Sequence, residues 1–493
     1  METRMTFLLS AALLAAVCGG VSAPADARRP NVLFIAADDL RNDLGCYGNT
    51  LVKTPNLDRL ARRGLVFNRA YCQQALCNPS RASLLTGRRV DALRLWDLRT
   101  HFRDVFPDLV TLPQHFKNNG YFTQNIGKIY HNWVHEIHGD PESWSVPAVM
   151  HFARHDSDTP VTDGPLPANL AEDPKCECRD VPDEAYFDGR VAKLAVEALR
   201  ERKAAAPPFF LAVGFWKPHA PFNAPKRYWD LYRREDVPLP RNPDWPKDAP
   251  RVAWHNGREL RGDEQRKLTP EAVREIRHGY LANVSYLDAQ IGKVLDELDR
   301  LGLSDNTLIV FWSDHGYHLG EKTLWAKTSN FDLDARVPLI IAPPNHTSAG
   351  KTSESLAELL DLYPTLVELC GLPKVAGLEG VSLAPVLNSP RRSVRTAALT
   401  QHPRPAYYQG APETMGYSVR NERFRYTEWR DWKTGETIAR ELYDHRADPE
   451  ETRNVAGDPK RARDAARCAE QLQKLNPDVR PGWQPVLVKG IDQ

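Results

Sequence analysis

Four apolar segments of the chain end in charged or imidazole side chains, the groups that serve metal binding and acid–base catalysis. These end groups are Asp38-Asp39, Lys128 with His131, Lys217 with His219, and Asp314-His315. In proteins built on an open parallel sheet, ligands bind beyond the carboxyl ends of the strands. If the four segments are neighbouring strands, their polar ends meet at one edge of the sheet and form a site there.

The carboxylates among these residues predict a divalent cation. Asp38, Asp39 and Asp314 would repel one another in a partly buried site, and hard oxygen ligands of this kind suit Ca²⁺ or Mg²⁺. His315 adds an imidazole directly after Asp314. For Asp38 or Asp39 taken alone, capping of a turn or helix is the alternative. With Asp314-His315 included, metal binding is the favoured interpretation.

Cys77 lies in the stretch QALCNPSRASLLTGRR, where the proline that follows it is typical of a helix start. Backbone amides and the dipole at a helix N-terminus attract anions. One interpretation is therefore a thiolate nucleophile, activated by the helix dipole and by Arg81. Two structural alternatives stay open: a buried free thiol, and one half of a disulfide with Cys72.

The segments that must position these groups are apolar without strict alternation, the pattern of strands buried on both faces. They are NVLFIAADDL, GYFTQNIGKIYH, PFFLAVGFWKPH, NTLIVFWSDHG and VPLIIAP. Helical patterns lie between them over 54–64, over 269–302, which is the longest, and over 353–372, the stretch SESLAELLDLYPTLVELCGL. Strand–helix alternation predicts an α/β fold with a mostly parallel central sheet flanked by helices.

The pattern changes near residue 390. TAALTQHPRP, MGYSVRNERFRYTEW and ELYDHRADPEETRNVAGDP predict antiparallel strands joined by turns. We therefore expect the domain that carries the site over 28–392, and a smaller C-terminal α+β domain with an antiparallel sheet over 393–493. The stretches 140–182 and 235–268 are rich in Pro, Asp and Arg and are predicted to be long loops over the sheet.

The N-terminus has the pattern of an export signal: Arg4, a short apolar core, and small residues before a cleavage point at Ala23 or Ala27. We expect residues 1–27 to be removed and the protein to be periplasmic or secreted. A lipoprotein attached through Cys18 is the less favoured alternative, since Val17 fits such a site poorly. The apolar run is too short for a good transmembrane helix. Export permits disulfides, whose connectivity the sequence does not define.

The overall charge balance gives no sign of a nucleic-acid or membrane partner. The chain carries 65 Lys and Arg against 64 Asp and Glu, a formal net charge of +1. Its hydrophobic content of 42 % is ordinary for a globular protein with a large core. A polyanionic substrate would therefore need a local basic site, because the net charge offers no general attraction.

The stretch CNPSRASLLTGRR resembles the C-x-P-S-R-x-x-x-x-T-G signature of the type I sulfatases. The matching residues are Cys77, Pro79, Ser80, Arg81, Thr86 and Gly87. In that family the cysteine is oxidised during export to formylglycine (3-oxoalanine), so the resemblance implies that Cys77 is a precursor and that a formylglycine-generating enzyme is a partner. It also implies an alkaline-phosphatase-like fold. One Ca²⁺ would be held by Asp38, Asp39, Asp314, His315 and the modified Cys77.

The resemblance runs from RPNVLFIAADDLRNDLGCYG to ELYDHRADPEETRN and implies three kinds of role: charge stabilisation, proton transfer and substrate binding. Arg81, Lys128 and Lys327 would stabilise the sulfuryl charge. His219 is the candidate general acid and His131 the candidate base. The substrate-binding candidates are Lys217, Tyr317 and His318. For a lysine or histidine taken alone, a solvated or structural role is the usual alternative.

The leading hypothesis is an exported sulfuric ester hydrolase that acts on a sulfated sugar. QQALCNPSR, GKIYH and WAKTSNFD resemble the branch of the family that acts on 2-O-sulfated uronic acid, which is therefore the expected substrate, in glycosaminoglycan-like polymers. One alternative is a phosphonate or phosphate ester hydrolase with the same nucleophile. The other is a non-catalytic glycan-binding protein in which Cys77 stays unmodified, although binding alone would not need metal ligands together with so many charged strand ends.

Overall fold

The computed structural model describes residues 29–131, 139–151, 176–205, 207–255, 268–344, 348–406 and 412–476. The predicted export signal and Cys18 lie outside these residues. Among the helices of the described ranges, none has both the length and the apolar character needed to cross a bilayer.

The strands of the described residues form one large sheet, one four-stranded sheet and two short pairs. In chain order they are β1 (Asn31–Asp38), β2 (Leu65–Tyr71), β3 (Phe122–Gly127), β4 (Cys176–Arg179), β5 (Phe209–Pro218), β6 (Phe222–Pro225), β7 (Thr307–Ser313), β8 (His318–Leu319), β9 (Trp325–Ala326), β10 (Arg336–Val337), β11 (Leu339–Ala342), β12 (Lys351–Glu358), β13 (Ala397–Arg404), β14 (Thr414–Asn421), β15 (Phe424–Asp431) and β16 (Thr437–Asp444).

The α-helices of the same ranges lie mostly between these strands. In chain order they are α1 (Pro55–Arg63), α2 (Cys77–Thr86), α3 (Val90–Leu93), α4 (Phe102–Val105), α5 (Leu112–Asn118), α6 (Phe187–Arg202), α7 (Lys226–Trp229), α8 (Pro270–Arg300), α9 (Asp332–Ala335), α10 (Leu362–Leu369), α11 (Ala384–Asn388) and α12 (Ala462–Leu475).

The large sheet has the spatial order β10-β2-β11-β7-β1-β5-β3, and β12 pairs with β2. Strands β7, β1, β5 and β3 run parallel, whereas β11 is antiparallel to β7 and β2. Strands β5 and β7 are buried along their whole length. Burial on both faces explains why their sequences are continuous apolar runs. The predicted α/β fold with a mostly parallel sheet is confirmed.

Two apolar layers cover the faces of the large sheet. On one face, side chains of α1, α6 and α8 pack against β1 and β5; on the other, α2, α5 and α10 pack against the opposite residues of the same strands. The long α8 begins with Pro270 in its first turn, and the hydroxyl of Thr269 accepts a hydrogen bond from the Ala272 backbone N–H. This start agrees with the boundary that the sequence predicts.

The helix predicted over 353–372 is wrong in its first part. Residues up to Glu358 belong to β12, which pairs in parallel with β2, and only Leu362–Leu369 form a helix. Asp361 and Glu358 make reciprocal side-chain-to-backbone hydrogen bonds that mark the break. Leu356, which is in helical spacing with the leucines after it, is buried because β12 pairs with β2, so tertiary pairing overrides local preference.

The C-terminal part forms the expected antiparallel sheet, in the order β13-β14-β15-β16. Helix α12 covers it, and Leu399, Val419 and Leu472 share its apolar core. This sheet is tied to the large one, since the Gln401 backbone N–H donates to the Gln73 carbonyl at 2.8 Å. The C-terminal residues therefore reach the segment that leads into α2.

Candidate active site

The four polar strand ends meet at the carboxyl edge of β3, β5, β1 and β7. One ligand atom from each of four buried residues lies within 4.8 Å of the others, in the group Asp38, Asp39, Cys77 and His315. Two carboxylates and an imidazole in such a cluster are a donor set that fits a divalent cation. The side chains present therefore suit a metal ion at this point.

Asp314 lies beside this group and is held by several donors. Its Oδ1 accepts hydrogen bonds from the backbone N–H groups of Asp39 at 3.2 Å and His315 at 3.0 Å. Its Oδ2 lies 3.6 Å from His315 Nε2 and accepts a hydrogen bond from Arg81 at 2.8 Å. One carboxylate thus fixes the relative positions of the β1 and β7 ends.

Two buried lysines reach the same carboxylates. Lys128 Nζ contacts Asp38 Oδ2, and Lys327 Nζ lies 2.8 Å from Asp39 Oδ1. Burial alone would raise the pKa of Asp38, but the charges of Lys128 and Arg81 hold it well below its usual range. The carboxylate is therefore ionised and ready to bind a cation.

Cys77 is the first residue of α2 and lies at the centre of the cluster. Its Sγ is 3.5 Å from Asp38 Oδ1, 3.3 Å from His315 Nε2 and 3.4 Å from Lys327 Nζ. Burial, reinforced by the charge of Asp38, raises the pKa of the thiol to about 12. A thiolate nucleophile is therefore not favoured at neutral pH.

The alternative disulfide between Cys77 and Cys72 is not formed. Neither of these two buried cysteines takes part in a disulfide. The Cys77 side chain is thus a reduced thiol, without a sulfur partner, surrounded by metal-binding and cationic groups.

Arg81 forms hydrogen bonds to several groups of this cluster. Its Nε donates to Asp314, its Nη1 to the Lys128 carbonyl at 2.7 Å and its Nη2 to the Ala37 carbonyl at 3.1 Å. The guanidinium is fully buried and lies against the Trp312 ring. It therefore links the ends of three strands and adds positive charge, with its donors directed at protein groups.

The two predicted proton-transfer histidines flank the cluster. His219 Nε2 lies 3.8 Å from Asp39 Oδ2, and its Nδ1 is 2.6 Å from the Ala220 carbonyl. Neither ring nitrogen of His131 has a hydrogen-bond partner among the described residues. Burial and the Lys128 charge lower the pKa of His131 well below its usual range, so its ring is neutral.

The substrate-binding candidates occupy different surroundings. Lys217 is buried, and its Nζ donates to the Pro221 carbonyl at 2.8 Å and contacts Asn223 Oδ1, inside the loop that follows β5. The Tyr317 ring stacks on Tyr280 within the core. His318 is buried, with Nδ1 2.7 Å from Asp334 Oδ1.

Sequence reasoning did not single out His255, His402 and Arg404, which lie beside the segment after Lys327. The Arg404 Nη1 donates to the Thr328 carbonyl at 3.0 Å, and His255 Nδ1 is 2.9 Å from Thr328 Oγ1. The stretch HPRP at the start of the C-terminal sheet was the available signal. Its contribution to the site depends on β13 docking, which local sequence does not specify.

The fold and the site define an alkaline-phosphatase-like hydrolase, and residues 30–372 match the model of the Sulfatase family. The chain therefore belongs to the sulfatase family and is a sulfuric ester hydrolase. Residues 320–478 also match the model described as the N-sulphoglucosamine sulphohydrolase C-terminal region. The chain is 37 % identical to iduronate 2-sulfatase of Mus musculus, and the alignment covers 87 % of this chain and 91 % of that protein.

Solved structures share the fold. A 2-O GAG sulfatase superposes with a TM-score of 0.72 at 24 % identity, covering 92 % of this chain and 93 % of that one. The phosphonate monoester hydrolase of Agrobacterium radiobacter superposes with a TM-score of 0.71 at 25 % identity, covering 93 % and 97 %. The same architecture is thus found in proteins described as acting on sulfate and on phosphonate esters.

Proposed function

We propose that the protein is an exported hydrolase of 2-O-sulfated uronic acid in a glycosaminoglycan-like chain, and that its nucleophile is formylglycine made from Cys77. The observation that carries the proposal is the position of Cys77 Sγ, within 3.5 Å of Asp38, His315 and Lys327. The chain's 37 % identity to a mammalian iduronate 2-sulfatase supports the substrate.

The thiol itself is a poor nucleophile here, because burial raises the pKa of Cys77 to about 12. In the proposed form, residue 77 supplies two hydroxyls on one carbon, one to displace the alcohol from sulfur and one to expel the sulfate. A modifying enzyme that oxidises the thiol before folding is complete is the implied partner, since the finished structure buries the side chain.

Asp38, Asp39, Asp314, His315 and residue 77 would hold one Ca²⁺. When bound, the ion would polarise the attacking oxygen and offset the charge of the sulfate group. Lys128 and Lys327 bring two further positive charges to the same point, where a sulfuryl group gains negative charge in the transition state. Arg81 holds these groups in position through its hydrogen bonds to the Asp314 carboxylate and to the Lys128 carbonyl.

Proton transfer falls to the two flanking histidines. His219 lies next to Asp39, where it can donate a proton to the oxygen of the departing sugar. His131 is neutral and accepts the proton of the second hydroxyl when sulfate leaves. The attacking hydroxyl also loses its proton, which replaces the one that His219 gives to the sugar oxygen. The proton that His131 accepts passes to solvent, and addition of water to the aldehyde restores the hydrate.

Paired aryl esters test the reaction class. We expect kcat/KM for 4-nitrophenyl sulfate to exceed that for 4-nitrophenyl phosphate by at least about tenfold, because the chain belongs to the sulfatase family. A preference for the phosphate or for a phosphonate ester would favour the alternative hydrolase. Binding of sulfated glycans without turnover of either ester would favour the non-catalytic alternative.

A panel of sulfated sugars then tests the substrate. The proposal predicts release of sulfate from a 2-O-sulfated uronic acid glycoside, and at least about tenfold slower release from a 6-O-sulfated glucosamine glycoside. Equal rates, or faster release from the glucosamine, would contradict the proposed substrate while leaving the sulfatase activity in place.

A further inference from the structure

A cavity of about 630 Å³ opens between the edge of the large sheet and the C-terminal sheet. Its walls are β12, the segment that joins α11 to β13, the turn between β14 and β15, and α12. Neither the metal-binding cluster nor the lysines and histidines assigned to catalysis line it. The cavity is therefore separate from the catalytic site, and its volume is within the range of ligand-binding pockets.

The lining of this cavity is rich in arginine. Among the described residues it holds six arginines against three carboxylates, which are Glu354, Glu422 and Asp464. The chain as a whole is nearly neutral, with a formal net charge of +1, so the excess of positive charge is local. We call the cavity the arginine cleft and define it by Arg69, Arg391, Arg392, Arg395, Arg423 and Arg467.

Ion pairs within the protein engage half of these arginines. The pairs are Arg69–Glu354, Arg395–Glu358 and Arg423–Asp444. The other two carboxylates of the lining pair with arginines outside it, in the pairs Glu422–Arg446 and Asp464–Arg461. The carboxylates of the protein therefore leave three arginines of the cleft without a partner of opposite charge.

These three arginines are Arg391, Arg392 and Arg467. All are exposed, and within the described part of the chain their side chains form no ion pair or hydrogen bond. Like charges that meet at one cavity repel one another, and a bound anion offsets that repulsion. A guanidinium also presents paired N–H donors that match the oxygens of a sulfate or carboxylate group. The three side chains are therefore available to an anionic ligand.

The three arginines come from two basic stretches of the sequence. Arg391 and Arg392 belong to PRRSVR, residues 390–395, and Arg467 ends KRARDAAR, residues 460–467. Short runs rich in arginine are typical of surfaces that bind polyanions. The fold brings both stretches, which are distant in sequence, to one cavity.

Hydrogen bonds within the protein hold the walls of the arginine cleft. The Ser353 hydroxyl of β12 donates to the Pro390 carbonyl at 2.7 Å, which fixes the start of the PRRSVR segment. On the other wall, the Asn421 side-chain amide donates to Gln471 Oε1 at 2.8 Å and joins the β14–β15 turn to α12. The cleft has its shape before a ligand binds, so little ordering cost opposes binding.

The chemistry of the proposed substrate indicates the occupant. A glycosaminoglycan-like chain carries sulfates and carboxylates along its length, whereas the catalytic cluster acts on one sulfate ester at a time. We infer that the arginine cleft binds another stretch of the sulfated glycan that the catalytic site hydrolyses. The choice of a glycan rests on the proposed function. A long chain that occupies both sites binds more tightly than a small ester, which occupies only the catalytic one.

Heparin, a highly sulfated glycosaminoglycan, is the probe of binding. The measurement uses Cys77→Ala protein, so that the probe is not hydrolysed. The cleft variant combines Arg391→Gln, Arg392→Gln and Arg467→Gln. We expect its Kd for heparin at about 0.1 M NaCl to be at least about tenfold higher than that of the parent protein. The slope of log Kd against log[NaCl] should fall by about two to three, because three ionic contacts are lost.

A second triple variant is the matched control. It combines Arg99→Gln, Lys203→Gln and Lys374→Gln, at exposed positions outside the arginine cleft. It removes the same amount of positive charge from other parts of the surface, so it reports any general effect of net charge. Its Kd for heparin should stay within about threefold of that of the parent protein.

Activity measurements separate the cleft from the catalytic site. With residue 77 intact, the cleft variant should keep kcat/KM for 4-nitrophenyl sulfate within about twofold of the wild type. Its KM for sulfate release from a polymeric glycan should rise by about tenfold at unchanged kcat, because only the polymer reaches the cleft.

The outcomes distinguish the inference from the proposed function. Equal losses of heparin binding in both triple variants, or no loss in the cleft variant, would overturn the inference while the sulfatase stands. Tighter binding of a DNA duplex than of heparin, through the same three arginines, would also overturn it and make a nucleic acid the occupant. Failure to hydrolyse any sulfate ester would refute the proposed function, whereas a selective loss of heparin binding in the cleft variant would still show a glycan site.

Discussion

Cys77 is the residue on which the proposed chemistry depends, since the carboxylates, lysines and His315 converge on its sulfur. Cys77→Ala removes the nucleophile and keeps the helix start, because alanine fits a helix N-terminus without new polar groups. We expect kcat for sulfate esters to fall by more than about a thousandfold, with little change in melting temperature. Steady-state kinetics and thermal unfolding on the same preparation measure both.

Cys72→Ala is the matched control for that substitution. Cys72 is equally buried, and its Sγ contacts the Asp334 carbonyl at 3.8 Å rather than the metal-binding group around Cys77. The control should keep activity within about threefold of the wild type. Comparable losses in both variants would mean that the effect of Cys77→Ala is structural.

For individual residues, the sequence indicates which side chains form the site, but it does not indicate what those side chains contact. The strand-end rule places Asp38, Asp39 and His315 together, and the structure brings them within one cluster. The sequence does not indicate that Arg81 bonds to Asp314 and to backbone carbonyls, or that Lys217 is held by its own loop. Those contacts depend on the path of neighbouring loops, which periodicity does not encode.

Among the elements, strands buried on both faces were the most predictable and the edge strand β12 the least. A continuous apolar run such as β5 has one stable environment, whereas Leu356 of β12 is in helical spacing with Leu359 and Leu360, which follow the strand. Pairing with β2 decides between the two structures, and that partner is distant in sequence.

Glu321 links three elements near the site. It accepts hydrogen bonds from Arg41, which follows β1, and from Arg277 of α8, each at 3.0 Å, and from the Leu319 N–H at 2.7 Å. Burial alone would raise the pKa of Glu321, but the charges of both arginines lower it well below its usual range. The ionised carboxylate therefore stabilises the folded state.

Glu321→Gln should lower the free energy of unfolding at pH 7 by about 3 kcal/mol, since the partly buried Arg277 loses its ionised partner and the buried Arg41 keeps only Asp43. A lowered pKa contributes stability above the unfolded value, and that stability is lost as pH falls through the folded value. The difference between variant and wild type should therefore shrink as pH falls below about 4. Urea unfolding at pH 7 and at lower pH measures it.

Glu422→Gln is the control for this prediction. Its ion pair with Arg446 is exposed, at 3.2 Å, and exposed pairs contribute little. We expect a change below about 0.5 kcal/mol at either pH. If the loss of unfolding free energy caused by Glu321→Gln instead grew as the pH was lowered, the stabilising role of the ionised Glu321 carboxylate would be contradicted.

For the molecule as a whole, the site is complete only when the two sheets are docked. The Gln401 N–H bonds to the Gln73 carbonyl, and Arg404 bonds to the Thr328 carbonyl, so the C-terminal sheet supports both the nucleophile segment and the Lys327 segment. The sequence predicts each sheet separately. Their docking depends on long-range packing, which explains why the sequence did not single out His402 and Arg404. The domain boundary at residue 393 stays a prediction.

Metal removal should inactivate the protein without unfolding it. Lys128 and Lys327 already pair with Asp38 and Asp39, so the carboxylates keep cationic partners when no ion is bound. We expect a chelator to reduce activity by more than about a hundredfold and Ca²⁺ to restore it. Ca²⁺ at about a hundred times its Kd should stabilise the fold by about 2.7 kcal/mol, seen as a higher melting temperature.

Asp39→Asn should abolish that Ca²⁺-dependent rise in melting temperature. Asp332→Asn is the matched control, because Asp332 belongs to the other group of potential ligands, with His445 and Glu451. It should keep the rise. A melting temperature that responds to Ca²⁺ equally in both variants would place the ion outside the catalytic cluster.

The most direct test of the central claim is the mass of the tryptic peptide Ala70–Arg81, taken from protein that its native host has exported. This peptide contains both Cys72 and Cys77, so Cys72 serves as an internal control. The account predicts that Cys77 has lost H₂S and gained one oxygen, with a hydrated form one water heavier, while Cys72 keeps its thiol. An intact thiol at Cys77, in a preparation that hydrolyses sulfate esters, would contradict it.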